Sequence, residues 1–347
     1  MENYENLFNK SAPNFLYHYT DGNAFQNIMK NGELWASHIR FMNDYTEEFL
    51  ALDKIIELLD KRVGSLDLDI EKLKKKIRKY FEEEISRKGI FILSFSEKVD
   101  DLNQWRAYGN KIPSYCIKFD TQNLIQNLNH SFQKLSDIEE IKSFIRVDWD
   151  LNDRKRKFLL MPCIYDSDEQ EKLLEEVIED SLSYVERTND KIIESKLAQE
   201  IAKRLIIYAP IIKHRAFKYE QEWRIIIIYE KSIEPNFTKE DLKKQYEETD
   251  NDSEKERISY DEDCFVDNET RCNEDKKLLD FRIGRSVIVP YYKFSFDKDI
   301  VDEVIIGSCP DGNSVRESTV YFLSKIGFSY EKAKCMVQNT ACPYRSW

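Results

Sequence analysis

The spacing of apolar and polar positions divides the chain into short strand-like runs and longer amphipathic ones. Residues 15–20, FLYHYT, alternate with period two and predict a strand, with Leu16, His18 and Thr20 on one face and Tyr17 and Tyr19 on the other. Asp21 then caps a helix whose apolar positions Phe25, Ile28 and Met29 share one face, and Asn31-Gly32 ends it. LWASHIRFMND runs extended and then turns, with Asn43-Asp44 as a turn or cap and Glu47 as its capping partner. Residues 45–87 carry a long helical pattern, and GIFILSFS (89–96) reads as a buried strand. DDLNQWRAYGN predicts a capped helical turn ending at Gly109, and IPSYCIKFD (112–120) a further strand.

Residues 121–200 are charged and mainly helical, with strand-like pieces near 144–149 and 158–165. FKYEQEWRIIIIY (217–229) is the strongest strand pattern in the chain. Strands return at 285–294 and 301–308, before a last helix with Val320, Phe322, Leu323 and Ile326 as its apolar face. Irregular alternation of strands and helices predicts one α+β domain over 1–347, built on a mixed, mostly antiparallel sheet. Residues 121–210 are expected as a mainly helical insertion, and 232–280, rich in acidic and polar residues, as a mobile one.

Composition narrows the function classes. The 347 residues include 53 basic and 65 acidic ones, for a net charge of −12, which opposes a phosphate backbone over most of the surface. The run EKLKKKIRKYFEEE is a solvated helix face, since its basic block is followed at once by Glu82, Glu83 and Glu84. The charged helices at 45–87 and 165–205 are expected docking surfaces for a partner protein or a second copy. Seven scattered Cys with no CxxC pair give no zinc or thioredoxin-like pattern and predict free thiols. With neither a secretory-type start nor a run of about 18 apolar residues, no membrane partner is expected and the expected compartment is the cytoplasm.

Four constellations are candidates for chemistry. His18 is one of only four His and lies within an apolar strand, where a core histidine bonded to a neighbouring strand is the plainer reading. Glu220 and Glu222, read on one strand, put two carboxylates and Arg224 on a shared face. Such a pair costs desolvation unless a cation or a reacting group uses it. Ser94 and Ser96 share a strand face, and Trp105 and Tyr108 are neighbours on the next helical turn, placed to stack on a flat ring. Arg40 is a candidate anion contact, weighed against an ordinary surface charge. GxSxG, P-loop, HExxH and GxGxxG patterns do not occur.

LYHYT (16–20), NGELWASHIRFMND (31–44), FILSFSEKVDDLNQWRAYG (91–109), YCIKFD (115–120), KYEQEWRII (218–226) and VDEVIIGS (301–308) together resemble the bacterial domain-of-unknown-function family 2971. A looser resemblance is to ADP-ribosyltransferase-like folds. His18 with Thr20 looks like their first strand element, Ser94, Ser96 and Tyr108 like the second, and Glu220 and Glu222 like the third, with Tyr19, Trp105 and Arg40 as further candidate cofactor contacts. That resemblance implies NAD as substrate and no metal. His18 would hold the ribose, Tyr108 would stack on nicotinamide, and Glu222 would be the catalytic carboxylate with Glu220 assisting. It also implies a protein or nucleic-acid acceptor and a setting in bacterial defence or toxin systems. Glu222→Gln is then expected to fold normally and lose turnover. The alternatives are an NAD glycohydrolase, a non-catalytic nucleotide- or phage-protein-sensing module of the same fold, and a metal-dependent nuclease using Asp44, Glu220 and Glu222, which the net charge opposes.

Overall fold

A computed structural model describes residues 12–42, 47–61, 68–109, 113–133, 157–188, 194–230, 278–284 and 287–343. The strand-like reading at 144–149, the turn at Asn43-Asp44 and residues 232–277 of the acidic segment lie outside these residues.

The local chemistry of the first hundred residues acts largely as the pattern predicts. Strand β1 is Phe15–Asp21, and the Asp21 carboxylate accepts from Ala24 N at 2.9 Å to cap helix α1, Gly22–Asn31. Gly32 ends it with φ of 66°, where a Cβ would lie 2.9 Å from the Phe296 carbonyl oxygen. Strand β2 is Glu33–His38. The long helical pattern is two helices, α2 at Glu47–Asp60 and α3 at Ile70–Arg87, followed by strand β3, Lys88–Ser96. Helix α4, Leu102–Tyr108, is capped by Asp101, whose carboxylate accepts from Asn103 N and Gln104 N. Strand β4 is Ser114–Asp120, helix α5 is Thr121–Gln133, and β5 is Lys157–Pro162.

Helices α6 (Ser167–Thr188) and α7 (Glu194–Tyr208) follow, then β6 (Glu222–Glu230), β7 (Leu279–Ile283), β8 (Ile288–Ser295) and β9 (Val301–Ile306). The last elements are α8 (Gly312–Lys325), α9 (Tyr330–Met336) and β10 (Val337–Asn339). The sequence reading did not anticipate the last two. β7 also takes in Leu279 and Asp280, so the acidic segment ends in a strand.

The described strands form one ten-stranded sheet along β10-β9-β4-β1-β3-β2-β8-β7, with β6 on the second edge of β3 and β5 on β6. All pairs are antiparallel except β10–β9, so the class is α+β with a mostly antiparallel sheet. β3 is the hub. One edge pairs with β6 along its whole length, while the other meets β2 at Phe91 and Ile92 and β1 at Ser96.

Both faces are covered. Ile90, Ile92 and Ile226 turn toward α2, α3, α6 and α7, while Phe91, Leu93, Phe95, Trp223, Ile225 and Ile227 turn toward the cluster that holds residues of α1, α8 and α9. A smaller cluster of Tyr17, Tyr19, Trp105 and Cys116 extends the first face past β1. Some charges of α2, α3, α6 and α7 bridge one helix to the next, as in Lys61–Glu171 at 3.0 Å and Lys72–Glu194 at 3.1 Å. Exposed pairs of this kind contribute little stability. No described helix is long and apolar enough to cross a membrane. The described Cys residues are free thiols.

Candidate functional site

The strand pattern FKYEQEWRIIIIY misplaces the start of β6. Residues Arg215–Glu220 form a 3-10 turn, Gln221 is left-handed with φ of 41°, and the strand begins only at Glu222. Glu220 and Glu222 are therefore not strand neighbours sharing a pleat face. The kink at Gln221 lets both approach one cation instead. Lys213 Nζ lies 2.5 Å from Glu220 Oε2 and 2.6 Å from Glu222 Oε2, and all three residues are buried. A left-handed non-glycine residue costs about 1–2 kcal/mol. Gln221→Gly should leave stability unchanged or raise it by up to about 1 kcal/mol in chemical denaturation; a clear loss would show that the Gln221 side chain outweighs the strain.

Backbone contacts fix the carboxylates in place. The Glu220 carbonyl accepts from Ser96 Oγ at 2.7 Å and Gln104 Nε2 at 3.1 Å. The Glu222 N–H donates to Tyr165 Oη at 2.9 Å, and its carbonyl accepts from Cys163 N at 2.8 Å. Gln170 Nε2 donates to the carbonyls of Ile164 and Lys213, tying down the segment that carries the ammonium. Arg224, with no exposed surface, donates from Nε to Glu222 Oε1 at 2.8 Å, from Nη2 to Glu222 Oε2 at 3.0 Å and from Nη1 to the Pro210 carbonyl at 2.6 Å. Such a forked contact is a strong charge-assisted pair.

The two carboxylates therefore differ in state. Burial opposes a charge on Glu222, but Arg224 and Lys213 outweigh it and hold the group at about 2. Both of its oxygens are engaged. For Glu220 burial wins over Lys213, and the Glu222 charge adds to it, so its carboxyl is raised above the usual range. Its Oε1 has a long contact with the Tyr108 hydroxyl, 3.4 Å, and Tyr108 is 41% exposed. Burial of the hydroxyl end, with the nearby Glu220 and Glu222 charges, raises the Tyr108 phenol. The site is thus a locked carboxylate, an adaptable one above it, and an aromatic ring between that second carboxylate and solvent.

The other candidates fall elsewhere. Ser96 pairs with both Tyr17 and Glu222, which places these three in a row on one sheet face. His18 points to the opposite face, edge-on to Phe95 with ring centroids 5.8 Å apart. Its Nδ1 lies 3.0 Å from the Ser94 carbonyl, and burial lowers its basicity while that contact partly offsets the shift. This is a half-buried histidine bonded to a neighbouring strand, and it lies on the opposite sheet face from Glu222. Thr20, buried, shares that face by alternation. Tyr19 is buried against Trp105 at 4.9 Å, and its hydroxyl donates to the Lys98 carbonyl and accepts from Asp101 N. Trp105 is buried too, with Nε1 donating to Asp100 Oδ1 at 2.8 Å, so it packs in the core and is not a stacking surface. Ser94 pairs with Arg224 across the sheet, next to the cluster. Arg40 is exposed on a 3-10 turn after β2, beside the part of β3 remote from Ser96. Asp44 lies outside the described residues.

A groove of about 470 Å³ opens between the start of α1 and α8, lined by Asp21, Asn23, Gln26, Tyr115 and Phe322 among others. None of the candidate residues lines it. Lys213, Gln104, Tyr165 and Gln170 escaped the sequence reading. The one available signal was a lone Lys closing the buried run at 209–212.

Residues 104–225 match the family described as "Protein of unknown function (DUF2971)". The matched segment covers about a third of the chain. It begins at Gln104 and ends just past Arg224, so it contains Tyr108, Lys213, Glu220, Glu222 and Arg224. β1, β2 and β9, which carry LYHYT, part of NGELWASHIRFMND and most of VDEVIIGS, lie outside the DUF2971 match. Neither the curated proteins nor the solved structures give a match to the chain.

Proposed function

We propose that the chain is an NAD-consuming enzyme of the ADP-ribosyltransferase-like kind, with Glu220 rather than Glu222 as the working carboxylate. The observation that carries this is the asymmetry of the pair: Glu222 is saturated by Arg224 and Lys213, whereas Glu220 keeps one oxygen turned toward the partly exposed Tyr108. A carboxyl raised by burial is suited to take a proton near neutral pH. The nicotinamide–ribose bond breaks with its electron pair leaving on nicotinamide, and positive charge develops on the ribose carbon. Ionised Glu220 stabilises that charge and takes the proton of the incoming acceptor as the new bond forms. Tyr108 supplies a ring face for a flat group. Ser96 and Gln104 position Glu220 through its carbonyl. His18 is assigned no step.

The acceptor is a protein or a nucleic acid met in the cytoplasm, in the setting of bacterial defence or toxin systems that the resemblance implies. Incubating the purified chain with NAD should release free nicotinamide, and mass spectrometry of added lysate should find ADP-ribose on a macromolecule. Nicotinamide without an adduct would select the glycohydrolase variant. No release in the presence of lysate would remove the enzymatic reading.

The closure of the Glu222 ion pairs favours a second reading, a non-catalytic module of the same fold. Calorimetry that detects NAD binding where no nicotinamide is released selects it.

A further inference from the structure

The loop 97–101 between β3 and α4 is held from three directions. Glu97 N donates at 3.0 Å to the carbonyl of Gln221, the left-handed residue between the two carboxylates. The Tyr19 hydroxyl, from β1, donates to the Lys98 carbonyl at 2.7 Å and accepts from Asp101 N at 3.0 Å. The third hold comes from the segment after β10. Asp100 is itself left-handed, with φ of 48°, and both of its carboxylate oxygens are engaged. Oδ1 accepts from Trp105 Nε1 at 2.8 Å and from the Thr340 hydroxyl, and Oδ2 accepts from Ala341 N at 2.7 Å. Donors that converge on a carboxylate make strong bonds.

The segment is set for this contact by its own bonds. Thr340 N donates to the Ile306 carbonyl at 2.8 Å, at the end of β9, and the Thr340 hydroxyl accepts from Cys342 N at 2.9 Å while it donates to Asp100. In the sheet order β9, β4 and β1 lie between β10 and β3, so the contact ties the last strand to the loop that leaves the hub.

Helix α4 depends on such ties. Leu102–Tyr108 is too short to hold a helix by its own hydrogen bonds. Its buried anchor is Trp105, which lies edge-on to Tyr19 and against Gly307, where a Cβ would sit 3.0 Å from the ring. From that anchor Gln104 reaches the Glu220 carbonyl at 3.1 Å, and Tyr108 reaches Glu220 Oε1 at 3.4 Å. We propose that Asp100 is a positioning residue for the carboxylate site and that Thr340–Cys342 is the latch that holds it. With the latch docked, Asp100 fixes Trp105, and Gln104 and Tyr108 meet Glu220. With it released, the Asp100 carboxylate is left with the indole, and α4 loosens. The effect on turnover rests on the reading of Glu220 as the working carboxylate; the effect on α4 does not.

Two substitutions open the latch in the full-length chain without touching the site. Asp100→Asn suits the left-handed backbone but sets an amide NH2 against Ala341 N, and Thr340→Val removes the hydroxyl at similar volume. Thr340→Ser keeps the hydroxyl. Amide hydrogen exchange over 102–109 should be at least about tenfold faster in the first two variants and wild-type-like in Thr340→Ser, with β3 and β6 protected as before. Nicotinamide release should fall at least about tenfold in the same two variants and persist in Thr340→Ser. Unchanged exchange of α4 in both variants, faster exchange spread evenly over β3 and β6, or full release with α4 loosened would each overturn the proposal. A wild type that releases no nicotinamide overturns the enzymatic reading, and the exchange ratio then decides the latch by itself.

Discussion

Glu220→Gln is expected to fold as the wild type does and to release nicotinamide roughly 10²–10⁴-fold more slowly, the usual weight of a positioned proton acceptor. The substitution keeps the shape of the side chain and removes its charge and basicity. Its structural cost is small because burial already disfavours the charged form of Glu220, even beside Lys213. The sign of the linkage follows. A carboxyl raised in the folded state contributes stability below its ordinary value, and this is lost as pH rises through its raised value. Glu220→Gln removes that loss, so its denaturation midpoint at neutral pH should equal or exceed the wild-type one. Nicotinamide release by the variant at the wild-type rate would take Glu220 out of the mechanism.

Glu222→Gln is expected to lose stability, about 3–5 kcal/mol at neutral pH, because it strips the counter-charge from a fully buried Arg224 and a buried Lys213. This reverses the expectation, drawn from the ADP-ribosyltransferase resemblance, that the variant folds normally. The acid limb gives a second measurement. Glu222 is held at about 2 when folded, so its contribution is complete above about 4.3, the ordinary glutamate value, and falls away as pH drops toward 2. The variant should show a shallower loss of stability across that window. Equal stability of variant and wild type in urea, at pH 7 and pH 3 alike, would show that the ion network is not what holds this part of the fold.

What was legible in the sequence was local. Asp21 before an apolar face and Gly32 after it mark both ends of α1, because a cap and a left-handed turn each require particular residue types. The run GIFILSFS gives β3, since β-branched and aromatic residues suit a strand buried on both faces. The start of β6 was misread because neither Gly nor Pro marks the break: the apolar pattern runs through Gln221 while the backbone turns there. Alternation correctly placed Leu16, His18 and Thr20 on one face. Which face Glu222 would share depends on the register of β1 on β3 and of β3 on β6, a non-local property that no short pattern carries. Lys213 was invisible for the same reason, since its partners are set only when the 3-10 turn folds back.

Lys213, Glu220, Glu222 and Arg224 satisfy one another within a single short stretch of chain. Evolution therefore cannot edit Lys213, Glu222 and Arg224 one at a time. Losing any one of these three strands a charge in a dry interior, so drift here must proceed by compensating changes, and a lineage that abandons the cluster has to replace it wholesale with apolar packing.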